Sequence, residues 1–381
     1  MKFIFFHLMP YADLDLSVLD RHETTWVMLP NSNYDAKKGA ALYSRYLDEL
    51  EYAETLGFDG VCVNEHHQTA YGLMAAPNLL AGALSRRTEK VTIHVLGRAL
   101  PLVGNPQAIA EEFALLDNLT RGRLVVGFVR GIGAEYHSQA VSPAESHERY
   151  YEAHDLIVRA WTEPGPFAFE GKYYRLPYLN IWPRCYQQPH PPIWVPSQGS
   201  VETIVWAAAA ERKYTYLQTI SPVAAVKKFF DMYRAEAEKA GYEASPNQLG
   251  WATPVYVAET DEIARREAKV HLEIFFNKLL RMPMEMLLPP GYLSVNSSFG
   301  VAKAKAALTT GYTTIEEMIE NGTCVVGSAK TVRDMLLDHR RTLNFEHLLA
   351  LLQFATLPAD LTRKNMELFA RDVIPHLRTA S

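Results

Sequence analysis

Glu65-His66-His67 puts a carboxylate and two imidazoles in consecutive positions directly after a short apolar run, residues 58–63. Imidazole takes up and releases a proton near neutral pH, so a histidine there can act as a general acid or base. Successive side chains on extended backbone point to opposite sides, which separates His66 from His67. One is expected to face a site and the other to pack or bond outward. Two structural histidines capping a strand would read the same way. A metal centre needs at least a third ligand at matched geometry, and the pattern differs from the helical His-Glu-x-x-His of zinc proteases, so no metal is expected.

Two other turns suit anions. Arg130-Gly131-Ile132-Gly133 follows the apolar run 124–128. Its glycines allow close backbone approach, and its arginine is a forked cationic donor. It lacks the third glycine of a dinucleotide fingerprint, and a structural turn with a surface arginine fits equally well. Ser197-Gln198-Gly199-Ser200 separates the run 193–195 from a helical stretch reaching Ala210. Ser200 is placed to cap that helix and aim its first N–H groups outward; a plain cap without ligand is the simpler alternative. At one face of one sheet, the two turns together suit a phosphorylated ligand. Cys62, mid-strand, reads as a small buried hydrophobe rather than a nucleophile. Trp26, Met28 and Met282 to Met286 fall in loops that suit an adaptable apolar pocket, or simple core packing.

The elements that must position these groups follow from periodicity. Residues 2–6, 58–63, 91–95, 124–128, 193–195, 214–217, 251–257 and 347–353 read as strands. Helical patterns cover 40–56, 75–86, 106–119, 146–161, 223–240, 261–280, 331–343 and 361–377. Residues 167–174 read as an inserted hairpin. Eight short strands alternating with helices predict a (β/α)8 TIM barrel with insertions over residues 1–381 as one domain. A doubly wound open sheet is the alternative. The stretch 282–320, rich in Met, Pro and Gly, resists regular reading and is expected to be a lid over the site.

Composition narrows the partners. The chain has 381 residues, and 38 basic against 43 acidic side chains leave −5, which favours neither nucleic acid nor anionic membranes. Three widely spaced cysteines offer no disulfide framework, so a reducing cytoplasm is expected. No apolar run nears the roughly 18 residues needed to span a bilayer, and the first residues do not form a signal peptide.

Taken in order, four stretches resemble the bacterial luciferase-like flavin monooxygenases: Leu56-Gly57-Phe58-Asp59 through Glu65-His66-His67; Pro106 and Ala110-Glu111-Glu112 with Leu116 to Arg123; Gly127-Phe128-Val129-Arg130-Gly131; and Pro189 to Val195 through Ser200. Glu367-Leu368-Phe369-Ala370 with Val373-Ile374-Pro375 extends the match to the end of the chain. The resemblance implies a barrel that binds flavin mononucleotide (FMN) at the carboxyl ends of its strands. It implies His66 as the catalytic histidine and Arg130, Gly131, Gly199, Ser200 and Thr203 around the phosphate. Gly97 and Arg98 would line the flavin ring, and 282–320 matches the mobile active-site loop. Val129 and Gly199 stand where luciferase has a reactive cysteine and an acidic residue, so light emission is not expected. The implied activity is a two-component monooxygenase. A separate flavin reductase supplies reduced FMN, molecular oxygen is cosubstrate through C4a-peroxyflavin chemistry, and the substrate is a small, largely apolar organic molecule. A homodimer is also implied. A deazaflavin-dependent oxidoreductase on the same barrel and a catalytically silent flavin-binding protein are the alternatives; a hydrolase would need a metal.

Overall fold

Strand pairing in the computed structural model, which describes residues 1–293 and 311–379, runs around a closed ring. The strands are β1 (Lys2–Phe6), β2 (Gly60–Val63), β3 (Thr92–Ala99), β4 (Leu124–Val129), β5 (Phe167–Glu170), β6 (Arg175–Leu179), β7 (Ile193–Ser197), β8 (Thr215–Thr219), β9 (Leu249–Ala258), β10 (Val325–Ser328) and β11 (His347–Leu351). The order β1-β2-β3-β4-β7-β8-β9-β11 returns to β1, every pair parallel. This is the expected (β/α)8 barrel, not an open sheet. β5 and β6 form the expected antiparallel hairpin outside it.

Local chemistry explains the main elements. The helix Ala36–Thr55 starts at Asp35, whose carboxylate accepts from the N–H groups of Lys37 and Lys38, and the chain leaves it through Gly57 at φ +81°. Proline opens both Pro77–Arg87 and Pro106–Thr120, where its missing N–H costs no helical bond. β2 is buried throughout, as expected of a parallel strand covered on both faces.

Three elements depart from the sequence reading. β10 is an extra strand: it pairs with the far half of β9, from Val255 to Ala258, while Gly250 to Pro254 pair with β11. Its four residues are too short for periodicity to register. A helix, Gly133–Gln139, follows β4 where a loop was expected. The helix expected over 261–280 is α-helical only to Ile274 and continues as a π-turn, Phe275–Leu279.

The excursion after β1 is stitched to that π-turn. Thr25 Oγ1 and Trp26 Nε1 donate to the Leu279 carbonyl at 3.0 and 2.8 Å, and Thr24 Oγ1 donates to that of Arg281 at 2.8 Å. Of the expected lid, the short helices Met284–Leu287 and Ile315–Glu320 are described, and residues 294–310 lie outside the described residues. No helix among the described residues is long and apolar enough to cross a membrane.

Candidate active site

The carboxyl ends of six barrel strands line one cavity. Phe6 comes from β1, Cys62 from β2, Leu96 and Gly97 from β3, Val129 from β4, Ser197 from β7 and Thr219 from β8. This is the end of a barrel where loops can bring unlike groups together. Leu280, Leu287 and Tyr292 close it from the other side.

His66 sits in the wall with its ring held on every side. Glu135 Oε1 lies 3.1 Å from Nδ1, and Asn64 Nδ2 lies 3.0 Å from Nε2. Trp26 and Tyr71 meet the imidazole edge to face at 5.2 and 5.1 Å between centroids. Glu135 is 1% exposed and accepts two further N–H groups, from His67 at 3.3 Å and Ile132 at 3.0 Å. Among the described residues Asn64 Oδ1 is buried without a partner, a polar atom left open beside the cavity. Glu135 escaped the sequence reading because its helix did. The signal was there: an acidic residue three positions after Ile132 marks a helix start.

His67 goes the other way, as alternation predicted. Its Nε2 lies 2.7 Å from Glu65 Oε1, and that hydrogen bond raises its pKa above the ordinary histidine value despite burial. The other Glu65 oxygen is 3.3 Å from Arg98 Nη1 and also accepts from Ala99 N–H at 3.3 Å. Arg98, expected at the cofactor, is therefore tied to Glu65 and is absent from the cavity lining. A buried carboxylate attracts the guanidinium more strongly than an open cavity does.

The remaining expected residues converge. Gly97, Arg130, Gly131, Gly199, Ser200 and Thr203 all line the cavity with His66. At Gly97 a Cβ atom would stand 2.6 Å from the Gly127 carbonyl oxygen, so only glycine lets β3 lie this close to β4. Pairing between these strands shifts register between Val95 and Arg98, and the Leu96–Gly97 peptide is cis. Gly199 has φ +94°, and a side chain there would strike the Phe229 ring.

Arg130 stands at the other end of the cavity. Nη1 donates to Ser146 Oγ and to the Tyr292 carbonyl, both at 3.1 Å, and the guanidinium lies 4.3 Å from the Tyr292 ring centroid. Burial and then the neighbouring Arg130 charge lower His147 to about 4, so it is neutral at pH 7. Ser200 Oγ caps the helix Val201–Ala207 by accepting from Thr203 N–H at 3.4 Å, and donates to Glu202 Oε2 at 3.2 Å. A carboxylate thus shares this end with the arginine, an arrangement the sequence reading missed.

Cys62 is buried in β2 and its thiol pKa is pushed well up by desolvation, in line with its reading as a hydrophobe. Met282 and Met286 are buried and pack in the main core. Among the described residues no group of three or more His, Cys, Asp or Glu is placed to hold a metal ion.

Comparison with known proteins gives one family. The model of the luciferase-like monooxygenases matches residues 25–346. The alkanal monooxygenase beta chain of Vibrio harveyi is 27% identical over 233 residues, 60% of this chain and 70% of its own. The FMN complex of the oxygenating constituent of 3,6-diketocamphane monooxygenase, from Pseudomonas putida, superposes with a TM-score of 0.76 at 18% identity, covering 98% of each chain. An F420-dependent secondary alcohol dehydrogenase, solved with an F420-acetone adduct, superposes with a TM-score of 0.66 at 17% identity, covering 88% of this chain and 95% of its own. At those identities the two structures speak for the barrel alone.

Proposed function

Since this chain belongs to the luciferase-like monooxygenase family, we propose that it is a two-component flavin monooxygenase acting on a small, largely apolar organic molecule. FMN is the cofactor, reduced by a separate flavin reductase, and molecular oxygen is the cosubstrate. The observation that carries this reading is one cavity with His66 and its carboxylate in one wall and the Arg130 guanidinium in another.

The residues present fit a flavin. Gly97 leaves bare backbone in the wall, because any Cβ there would collide with β4, and a planar ring can lie against such a surface. Asn64 Oδ1 is a buried acceptor in want of a donor. Arg130 offers a charge-assisted donor to a phosphate, with Gly131, Gly199, Ser200 and Thr203 beside it. Reduced flavin, when bound, supplies the electrons and the activation of oxygen. The protein positions, excludes water and handles protons. Trp26, Tyr71, Leu280 and Leu287 are the apolar part of the enclosure, and His66 is the proton-handling group.

A reducing cytoplasm suits three free, buried cysteines. The assembly we propose is a homodimer, and Leu79, Leu115 and Leu119 are 76, 50 and 45% exposed on the helices Pro77–Arg87 and Pro106–Thr120 in a single copy. Sedimentation at micromolar concentration checks this; a monomer there removes it.

The deazaflavin reading has the F420-dependent neighbour on its side. One experiment separates the two. The protein is titrated with FMN, riboflavin and F420 by fluorescence, then loaded with photoreduced FMN and mixed with oxygenated buffer. Reoxidation slower than that of free flavin, with FMN bound more tightly than F420, supports the monooxygenase. Reoxidation at the free rate with F420 preferred overturns it.

A further inference from the structure

We propose that Glu135 is the positioning residue that makes His66 a proton acceptor toward the cavity, by fixing the proton on Nδ1 and leaving the Nε2 lone pair for a ligand. The inference rests on the reading of His66 as the proton-handling group and adds its direction and its orienting partner.

A carboxylate can only accept, so the 3.1 Å contact to Glu135 Oε1 requires a proton on His66 Nδ1. In the neutral ring Nε2 is then an acceptor, and the Asn64 amide donates to it at 3.0 Å. Each assignment supports the other. The reverse tautomer would set a bare Nδ1 against a buried carboxylate, two acceptors with no proton between them.

Glu135 itself is held firmly. It lies 69 positions from His66, on the helix after β4, and its oxygens also take the N–H groups of His67 and Ile132. The groups facing His66 are Glu135, Asn64, Trp26 and Tyr71, with Glu65, His67 and Arg98 paired among themselves behind. Burial raises the Tyr71 phenol pKa and keeps it neutral. Glu135 is therefore the charged group in contact with the ring among the described residues.

The proton step balances. An acidic O–H or N–H of the bound molecule displaces Asn64 from Nε2. That bond breaks, its electron pair stays on the ligand, and an N–H bond forms at Nε2. The positive charge left on the imidazolium rests against the Glu135 carboxylate. Asn64, released, keeps both amide hydrogens and its unpartnered oxygen for the ligand.

Long-range 1H–15N spectra of the ligand-free protein, with His66 assigned by its loss in His66→Gln, test this without flavin or turnover. The expected result is a pyrrole-type Nδ1 and a pyridine-type Nε2 for His66 at pH 7.5. Glu135→Gln keeps the size but offers one oxygen to three donors. It should turn the single His66 tautomer into a mixture in the same spectra and lower turnover at pH 7 by about tenfold or more, with FMN affinity within about twofold. Glu135→Asp should restore part of the loss. A pyridine-type Nδ1 in the wild type overturns the proposal, whether or not the variants fold. So does an unchanged single tautomer of His66 in Glu135→Gln. Either result leaves the flavin reading standing, because FMN binding is measured separately.

Discussion

Histidines stand at both ends of the barrel, buried without acids at one and half-buried against acids at the other. At the amino end His94, on β3, is buried against Trp194, whose ring also meets His347. Its Nε2 meets the Thr92 hydroxyl at 2.8 Å and its Nδ1 has no partner among the described residues. Burial, with His347 adding to it, drives its pKa from 6.5 to about 3. At the carboxyl end His66 and His67 each contact a buried carboxylate, Glu135 and Glu65. Burial alone silences an imidazole. A carboxylate beside the ring decides the sign only where its bond outweighs burial: Glu65 raises His67, whereas burial still lowers His7 against Glu49.

The largest break in this contrast is His66→Ala. Turnover should fall by about 10²–10⁴-fold, the usual worth of a general acid or base, while FMN stays bound. A steady-state assay paired with a fluorescence titration checks both, and an unchanged kcat would sink the catalytic role.

His94 should answer in stability instead. With its folded pKa near 3 and an ordinary value of 6.5, the neutral ring supports folding fully above pH 6.5. That support is lost as pH falls toward 3, because the unfolded chain then binds a proton the fold refuses. Between pH 6.5 and 4.5 this amounts to about 2–3 kcal/mol. In urea titrations at the two pH values His94→Leu should flatten that loss and leave kcat unchanged. An equally steep acid slope in the variant would show that the ring is not the cause.

At the anion end, Arg130→Ala should weaken FMN by about 10–100-fold, the loss of one charge-assisted hydrogen bond, and leave riboflavin within about twofold. Equal losses for both ligands would remove the phosphate role. The smallest effect is expected at Arg98, whose charge is spent on Glu65. Arg98→Met should change FMN affinity by less than about twofold. A larger loss would return Arg98 to the cofactor site that the sequence reading gave it.

Much of the site was readable because its signals are local. Arg130-Gly131 and Gly199-Ser200 stand out through backbone freedom and donor chemistry within a few residues. The Glu65-His66-His67 step stands out because it breaks an apolar run. Alternation also separated His66 from His67 correctly. The tie from Arg98 to Glu65 was not readable, because its neighbours in sequence say nothing of a carboxylate that reaches it from beyond β2. β10 was missed because four residues carry too little periodicity.

The sequence by itself determined the alternation of eight apolar runs with helices, and so a parallel sheet covered on both faces, because burying both faces of each strand is written into consecutive residues; its closure into a ring came from the strand pairing. It also determined which side-chain types stand at the strand ends. Only the tertiary structure decided which of them meet. Glu135 reaches His66 across 69 positions, Trp26 reaches the Leu279 carbonyl across 253, and Arg130 reaches the Tyr292 carbonyl across 162. Hydrogen bonds of this reach depend on how barrel closure places loops from different strands at one mouth. No short-range pattern carries that information.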